Sequence, residues 1–212
     1  MHIEPGLLAA PKLMAANVAA VALLAVHAPA WLKQPRLWLR TVLAALFFTL
    51  FMQSFHRPVG PSELHFIGAM PIYLLLGCLP TLFGFGLGLL LQGLWFEPQD
   101  LVHLSVNFLS LAVPLLALHH TLGRRLAQGA LPVRDVLKLD AAYYAGVTAM
   151  VGFWLSIAND ATPLADWAMF AASYLSVVAL EPVFTVLVVK GVQAVRTQRW
   201  ARACFDERLT AA

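Results

Sequence analysis

The chain has 212 residues, of which 60% are hydrophobic and only 12% charged, against about 45–50% apolar and about 25% charged in an ordinary soluble domain. So much apolar surface is accommodated only where lipid is the solvent, which excludes a soluble globule and a disordered chain. Fourteen Lys and Arg against eleven Asp and Glu leave a formal net charge of +3, and two cysteines, Cys78 and Cys204, supply neither a disulfide framework nor a CxxC metal knuckle.

Apolar stretches run over 13–31, 37–55, 64–96, 101–118, 141–158 and 167–189. About 20 residues cross a hydrocarbon core of about 30 Å, so most of these read as single transmembrane helices. In the first, Ala28-Pro29-Ala30 resembles a signal-peptide cleavage site, yet Lys12 is the only basic residue before the run while Lys33, Arg36 and Arg40 follow it. That charge order favours an uncleaved helix entering from outside. Ala15/Ala19 and Ala16/Ala20 give this helix small-xxx-small spacing, suited to close packing with a partner helix or within the bundle.

The third stretch would be about 50 Å long as one helix, so it should break near Gly77-Cys78-Leu79-Pro80, where proline removes a donor and clashes with the preceding turn. A short helix over 64–79 is expected, with a re-entrant segment as the alternative. Beyond the break, Gly84, Gly86 and Gly88 lie inside an apolar helix without a preceding strand. They suit close helix packing and are no nucleotide-binding loop. The last stretch carries Glu181-Pro182, an ionisable residue deep in a membrane helix and hence a suspected coupling or proton site.

Seven helices give a consistent distribution of positive charge. Twelve of the fourteen Lys and Arg then face the cytoplasm, leaving Lys12 and Arg57 outside. The fold class is therefore an all-α integral membrane protein of about seven transmembrane helices, N-terminus outside and C-terminus cytoplasmic. It forms one transmembrane domain over 1–212: an extracytoplasmic segment 1–12, a helix bundle 13–190 and a basic tail 191–212. Glu4, Glu63, Glu97, Asp100, Asp160 and Asp166 all fall at the outer ends, a face that concentrates cations.

The histidines divide by depth, with His2, His56, His65 and His103 outside and His27, His119 and His120 inside. His2 stands apart by position. Methionine removal requires a small second residue, so Met1 is expected to keep its α-amine. That amine, the amide nitrogen of His2 and its imidazole can then form fused chelate rings around one cation. A fourth nitrogen closes a planar set of the kind preferred by Ni²⁺ or Cu²⁺. His65, on the short loop after the second helix, is the best candidate for it. His103 and Asn107 are four residues apart and share a helix face, where they could hydrogen-bond a ligating imidazole or anchor the interface.

Met1-His2-Ile3 followed by an acidic residue and Gly6 resembles the N-terminal signature of the cobalt/nickel substrate-binding S components of energy-coupling-factor (ECF) ABC transporters, the CbiM/NikM family. The similarity continues through His65-Phe66-Ile67-Gly68, Leu74-Leu75-Leu76-Gly77, Leu89-Leu90-Leu91-Gln92-Gly93-Leu94 and Val106-Asn107-Phe108, in order as far as about Arg125. The resemblance implies that Ni²⁺ or Co²⁺ is bound by the Met1 amine and the backbone nitrogen and side chain of His2, with His65 as the loop ligand and Asn107 nearby. Glu63 replaces the small residue usual two positions before the loop histidine, so it could add an oxygen ligand or only a local charge. The family's partners would be a transmembrane coupling subunit meeting the alanine face of the first helix, two cytoplasmic ATPases and a small accessory membrane protein, in a bacterial inner membrane.

No HExxH, GxSxG or P-loop occurs, so the chain is not expected to be an enzyme and ATP hydrolysis would fall to the partners; no nucleic acid is implied. Two alternatives use other residues. A proton-coupled carrier would titrate Glu181, and a b-type cytochrome would draw on His56 and His103 near one surface and His27 and His119 near the other. The cytochrome is disfavoured because His103 and His119, 16 residues apart, point roughly 160° apart around one helix.

Overall fold

The computed structural model describes residues 6–59, 62–126, 132–160 and 162–207. Helix α1 spans Ala10–Leu32, α2 Arg36–Ser54, α3 Ala69–Leu76 and α4 Cys78–Trp95. A 3₁₀ segment Pro98–His103 leads into α5, Leu104–Leu118. A π turn His119–Gly123 and the short α6, Arg124–Leu126, follow. The chain then forms α7 Val133–Ser156, α8 Leu164–Ala194 and α9 Arg199–Cys204. Among the described residues, five helical segments are long and apolar enough to cross a membrane: α1, α2, α4, Pro98–Gly123 and α8.

Of the seven expected crossings, two therefore depart from a simple apolar span. Helix α7 is 24 residues long, but Arg134, Asp135, Lys138 and Asp140 occupy its first two turns. Helix α3 has only eight residues, about 12 Å at 1.5 Å per residue, and starts well after the expected boundary at 64. What precedes it is a β-hairpin that the all-helical expectation did not include, β1 His56–Val59 paired antiparallel with β2 Ser62–His65. All eight residues of α3 are buried, which is how a bilayer protein tolerates a segment that is part extended chain and part helix.

Two glycines set the limits of that half-helix. Gly68 takes a left-handed conformation with φ 63° at its start, and a Cβ there would lie 2.1 Å from the Phe51 ring. Gly77 has φ 93° at its end, so the break falls one residue before α4 and leaves Pro80 in that helix's first turn. Close packing of α2 against α4 needs the other glycines: a Cβ on Gly84 would meet that of Ala44 at 2.4 Å, and one on Gly88 the Phe48 ring at 2.5 Å.

Starting in the bundle interior, α3 exposes N–H groups that no water satisfies. The Glu181 carboxylate answers them, with Oε1 accepting the Met70 N–H at 2.9 Å and Oε2 the Tyr144 hydroxyl. A carboxylate at a helix N-terminus also meets the positive end of the helix dipole. The other end of α3 is closed by the C-terminal segment, where the Asp206 N–H donates to the Leu75 carbonyl at 2.7 Å.

Charge-assisted bonds to a buried carboxylate contribute about 1.5–3 kcal/mol each. Glu181→Ala should therefore cost at least about 3 kcal/mol of stability, because it leaves several buried donors unpaired. Glu181→Gln should cost less, since its carbonyl still accepts. Thermal unfolding of the two variants in detergent measures the difference.

Candidate metal centre

His65 ends β2, and strand alternation places it on the same side as Glu63 two residues earlier. Its ring is 1% exposed and its Nε2 lies 2.9 Å from Glu63 Oε2. Nδ1 faces the Met52 carbonyl at 3.5 Å, the outer limit for such a bond. A carboxylate that accepts the Nε2–H fixes the orientation of a neutral imidazole and raises its basicity, as partners of ligating histidines do. Glu63 thus contacts the loop histidine directly.

His103 and Asn107 are both buried at the start of α5. Neither ring nitrogen of His103 has a hydrogen-bond partner among the described residues. Gln92, on α4, is likewise buried with both amide atoms unpartnered. It was quoted above only as part of a motif, although a glutamine inside an apolar helix was the signal that singled it out. Ser110 donates to the Val106 carbonyl at 2.9 Å and accepts from Trp154 Nε1 at 3.0 Å, so it is structural.

The carboxylates at this end of the bundle converge in part. Burial pushes the Glu97 carboxyl up to about 7 from 4.5, reinforced by its hydrogen bond with Asp100 and by the charges of Asp100 and Glu63. The start of the chain is tied to the same end: the Asn159 N–H donates to the Leu7 carbonyl and Lys12 Nζ to the Ile157 carbonyl.

Met1 and His2, the other expected ligands, lie outside the described residues. Among the described residues, no group of three or more His, Cys, Asp or Glu is arranged to hold a metal ion. Of the expected ligands, the described residues include His65, with Glu63 beside it. On α1 the two alanine pairs separate: Ala16 and Ala20 are buried within the chain, while Ala15 and Ala19 line an outward groove with Ala10, Pro11, Met14 and Val18. Glu181 is fully buried and caps α3. Sequence reading missed the residue beside it, Asp140, because the apolar stretch was counted from 141; an acid followed at i+3 and i+4 by Tyr143 and Tyr144 was the available signal. His119, an inner-end histidine, is hydrogen-bonded through Nδ1 to the Tyr73 hydroxyl at 2.9 Å.

Residues 2–199 match the model of a cobalt uptake substrate-specific transmembrane region, CbiM. The chain belongs to the CbiM family. A curated relative from Haemophilus influenzae, named "Putative metal transport protein", is 30% identical over 194 residues, covering 89% of this chain and 91% of its own. A crystal structure described as that of a transition metal transporter shares the fold with a TM-score of 0.74 at 22% identity, over 94% of this chain and 96% of that one. This CbiM-family chain is thus a multi-pass membrane protein of a metal-uptake family.

The raised Glu97 carboxyl has a definite pH consequence. Its neutral form is favoured in the fold, so its stabilising contribution is complete below 4.5 and is lost as pH rises through about 7. Protection factors in the 97–103 segment, taken against the intrinsic exchange rate at each pH, should fall across that window in the native chain, and Glu97→Gln should flatten the dependence.

Proposed function

We propose that this chain is the substrate-capture (S) subunit of an ECF-type ABC importer for Ni²⁺ or Co²⁺. The ion is held by the Met1 amine, the amide nitrogen and imidazole of His2, and the imidazole of His65. The observation that carries this reading is a buried histidine at the end of a hairpin, oriented by a carboxylate, at the end of the bundle where the chain begins. The five residues before Gly6 reach up to about 17 Å when extended. Family membership supports the substrate class.

Four nitrogen donors in a plane suit late first-row divalent ions, and their protonation competes with the metal. Capture is therefore weaker in acid. Glu63, Glu97 and Asp100 raise the local cation concentration without serving as primary ligands. The chain lies in a bacterial inner membrane, and the Ala15/Ala19 groove of α1 receives a helix of the coupling subunit. The sequence carries no P-loop, so two cytoplasmic ATPases supply the energy, with a small accessory membrane protein completing the assembly.

Glu181 favours one competing reading, a carrier that moves metal against protons by itself. Transport by the purified chain in liposomes under a pH gradient, without ATP, would select that reading.

His2→Ala, His65→Ala and any residue added before Met1 should each abolish tight metal binding in calorimetry, whereas His56→Ala, outside the proposed donor set, should leave it within about threefold. Equal affinity in the native and N-terminally extended forms refutes the nitrogen-donor model.

A further inference from the structure

Two carboxyl groups, Asp140 on α7 and Glu181 on α8, lie together in the bundle, and both are 0% exposed. Helix spacing assembles the surroundings. Asp140, Tyr143 and Tyr144 share a face of α7 at i, i+3 and i+4, and Thr185 follows Glu181 by one turn of α8. Tyr144 stacks on Tyr174 of α8 with ring centres 5.0 Å apart. The Tyr143 and Thr185 hydroxyls are buried and make no hydrogen bond among the described residues, and the buried Tyr174 hydroxyl interacts with the His65 backbone. Tyr143 interacts electrostatically with Tyr174 and Glu181.

The two carboxyls are not equivalent. Glu181 accepts from the Met70 N–H through one oxygen and from the Tyr144 hydroxyl through the other, and it also interacts with the Gly68 N–H at the start of α3. It is dressed as an anion against a helix N-terminus. Asp140 has no such donors. It lies within interaction range of Glu181, yet neither of its oxygens makes a hydrogen bond of ordinary geometry. Among the described residues, the titratable groups acting on the pair are Tyr143, Tyr144 and Tyr174, and no Lys, Arg or His acts on either carboxyl. Two adjacent anions buried in lipid with no cation between them are prohibitively costly.

We propose that Asp140 and Glu181 form a membrane-embedded proton site, in which Asp140 carries one proton and shares it with the Glu181 anion. The proton is the ligand, and its presence holds the start of α3 to α7 and α8. When it leaves, two like charges face each other at the cap of α3, and the chain from His65 to Met70 loosens. The nearer aqueous end is the one where α7 begins, seven residues before Asp140, about 10 Å along the helix. This goes beyond metal capture, and no metal enters its test.

The full chain, reconstituted in lipid, is examined by infrared spectroscopy at neutral pH for the carbonyl stretch of a protonated carboxylic acid. The component of that band that shifts when the side-chain carboxyls of aspartate are isotopically labelled is expected in the native chain and lost in D140N, whose amide keeps a donor for Glu181; the Glu97 carboxyl contributes only to the unshifted component. The label tests the native chain and holds even where D140N fails to fold. As pH is raised until the label-shifted component disappears, the protection factors of amides 66–72, taken against the intrinsic exchange rate at each pH, should fall at least about tenfold; those of D140N should hold over the same range. A native spectrum without a label-shifted component, that component surviving in D140N, or protection that ignores its titration overturns the proposal.

Discussion

The structure depends on one constraint: a helix that begins inside a bilayer protein has no water for its first N–H groups. Helix α3 is such a helix, and the Glu181 carboxylate meets its start. With that contact in place the chain can form a hairpin, turn at Gly68 and continue into eight buried helical residues. The arrangement puts His65 at the edge of the buried region, on a strand held by pairing and by the wall of α2 and α8. An uninterrupted helix from 64 would have presented that imidazole on a cylinder facing its neighbours.

Packing around this element follows lipid rules. Hydrophobic burial gives little net drive where the solvent is itself apolar, so small residues and close backbone approach do more. Gly84 and Gly88 admit Ala44 and Phe48 of α2, and Ala16 and Ala20 set α1 against the bundle. The rest of α1 stays open, with Ala15 and Ala19 in a shallow apolar groove. At the basic end the tail folds back: Arg36 pairs with Glu207, and Asp206 closes α3 beside Gly77.

The proposed centre divides the labour between nitrogen and oxygen. Imidazole and amine donors bind the ion, while Glu63 orients a ring and Glu97 and Asp100 charge the face as pH rises. Carboxylates deeper in the chain serve a different end. Asp140 and Glu181 are sealed from water, and their chemistry concerns protons and the hold on α3 rather than metal capture.

Composition alone determined that the chain lives in lipid, because 60% hydrophobic residues cannot be hidden in 212. The placement of Lys and Arg separated two ends, and the order of motifs from Met1 onward pointed to the metal-uptake family that the comparison established. His65 and Glu181 were legible because a histidine at a membrane edge and an acid within a membrane helix are both costly and therefore conspicuous. The hairpin, the late start of α3 and the partnership of Glu63 with His65 were not, since hydropathy counts apolar residues without distinguishing extended chain from helix in a buried crossing. The inward turn of Ala16 and Ala20 depended on which face met α5, and Asp140 became significant only when α8 brought Glu181 beside it. Such pairings between helices distant in sequence have no local signal, so only tertiary packing decided them.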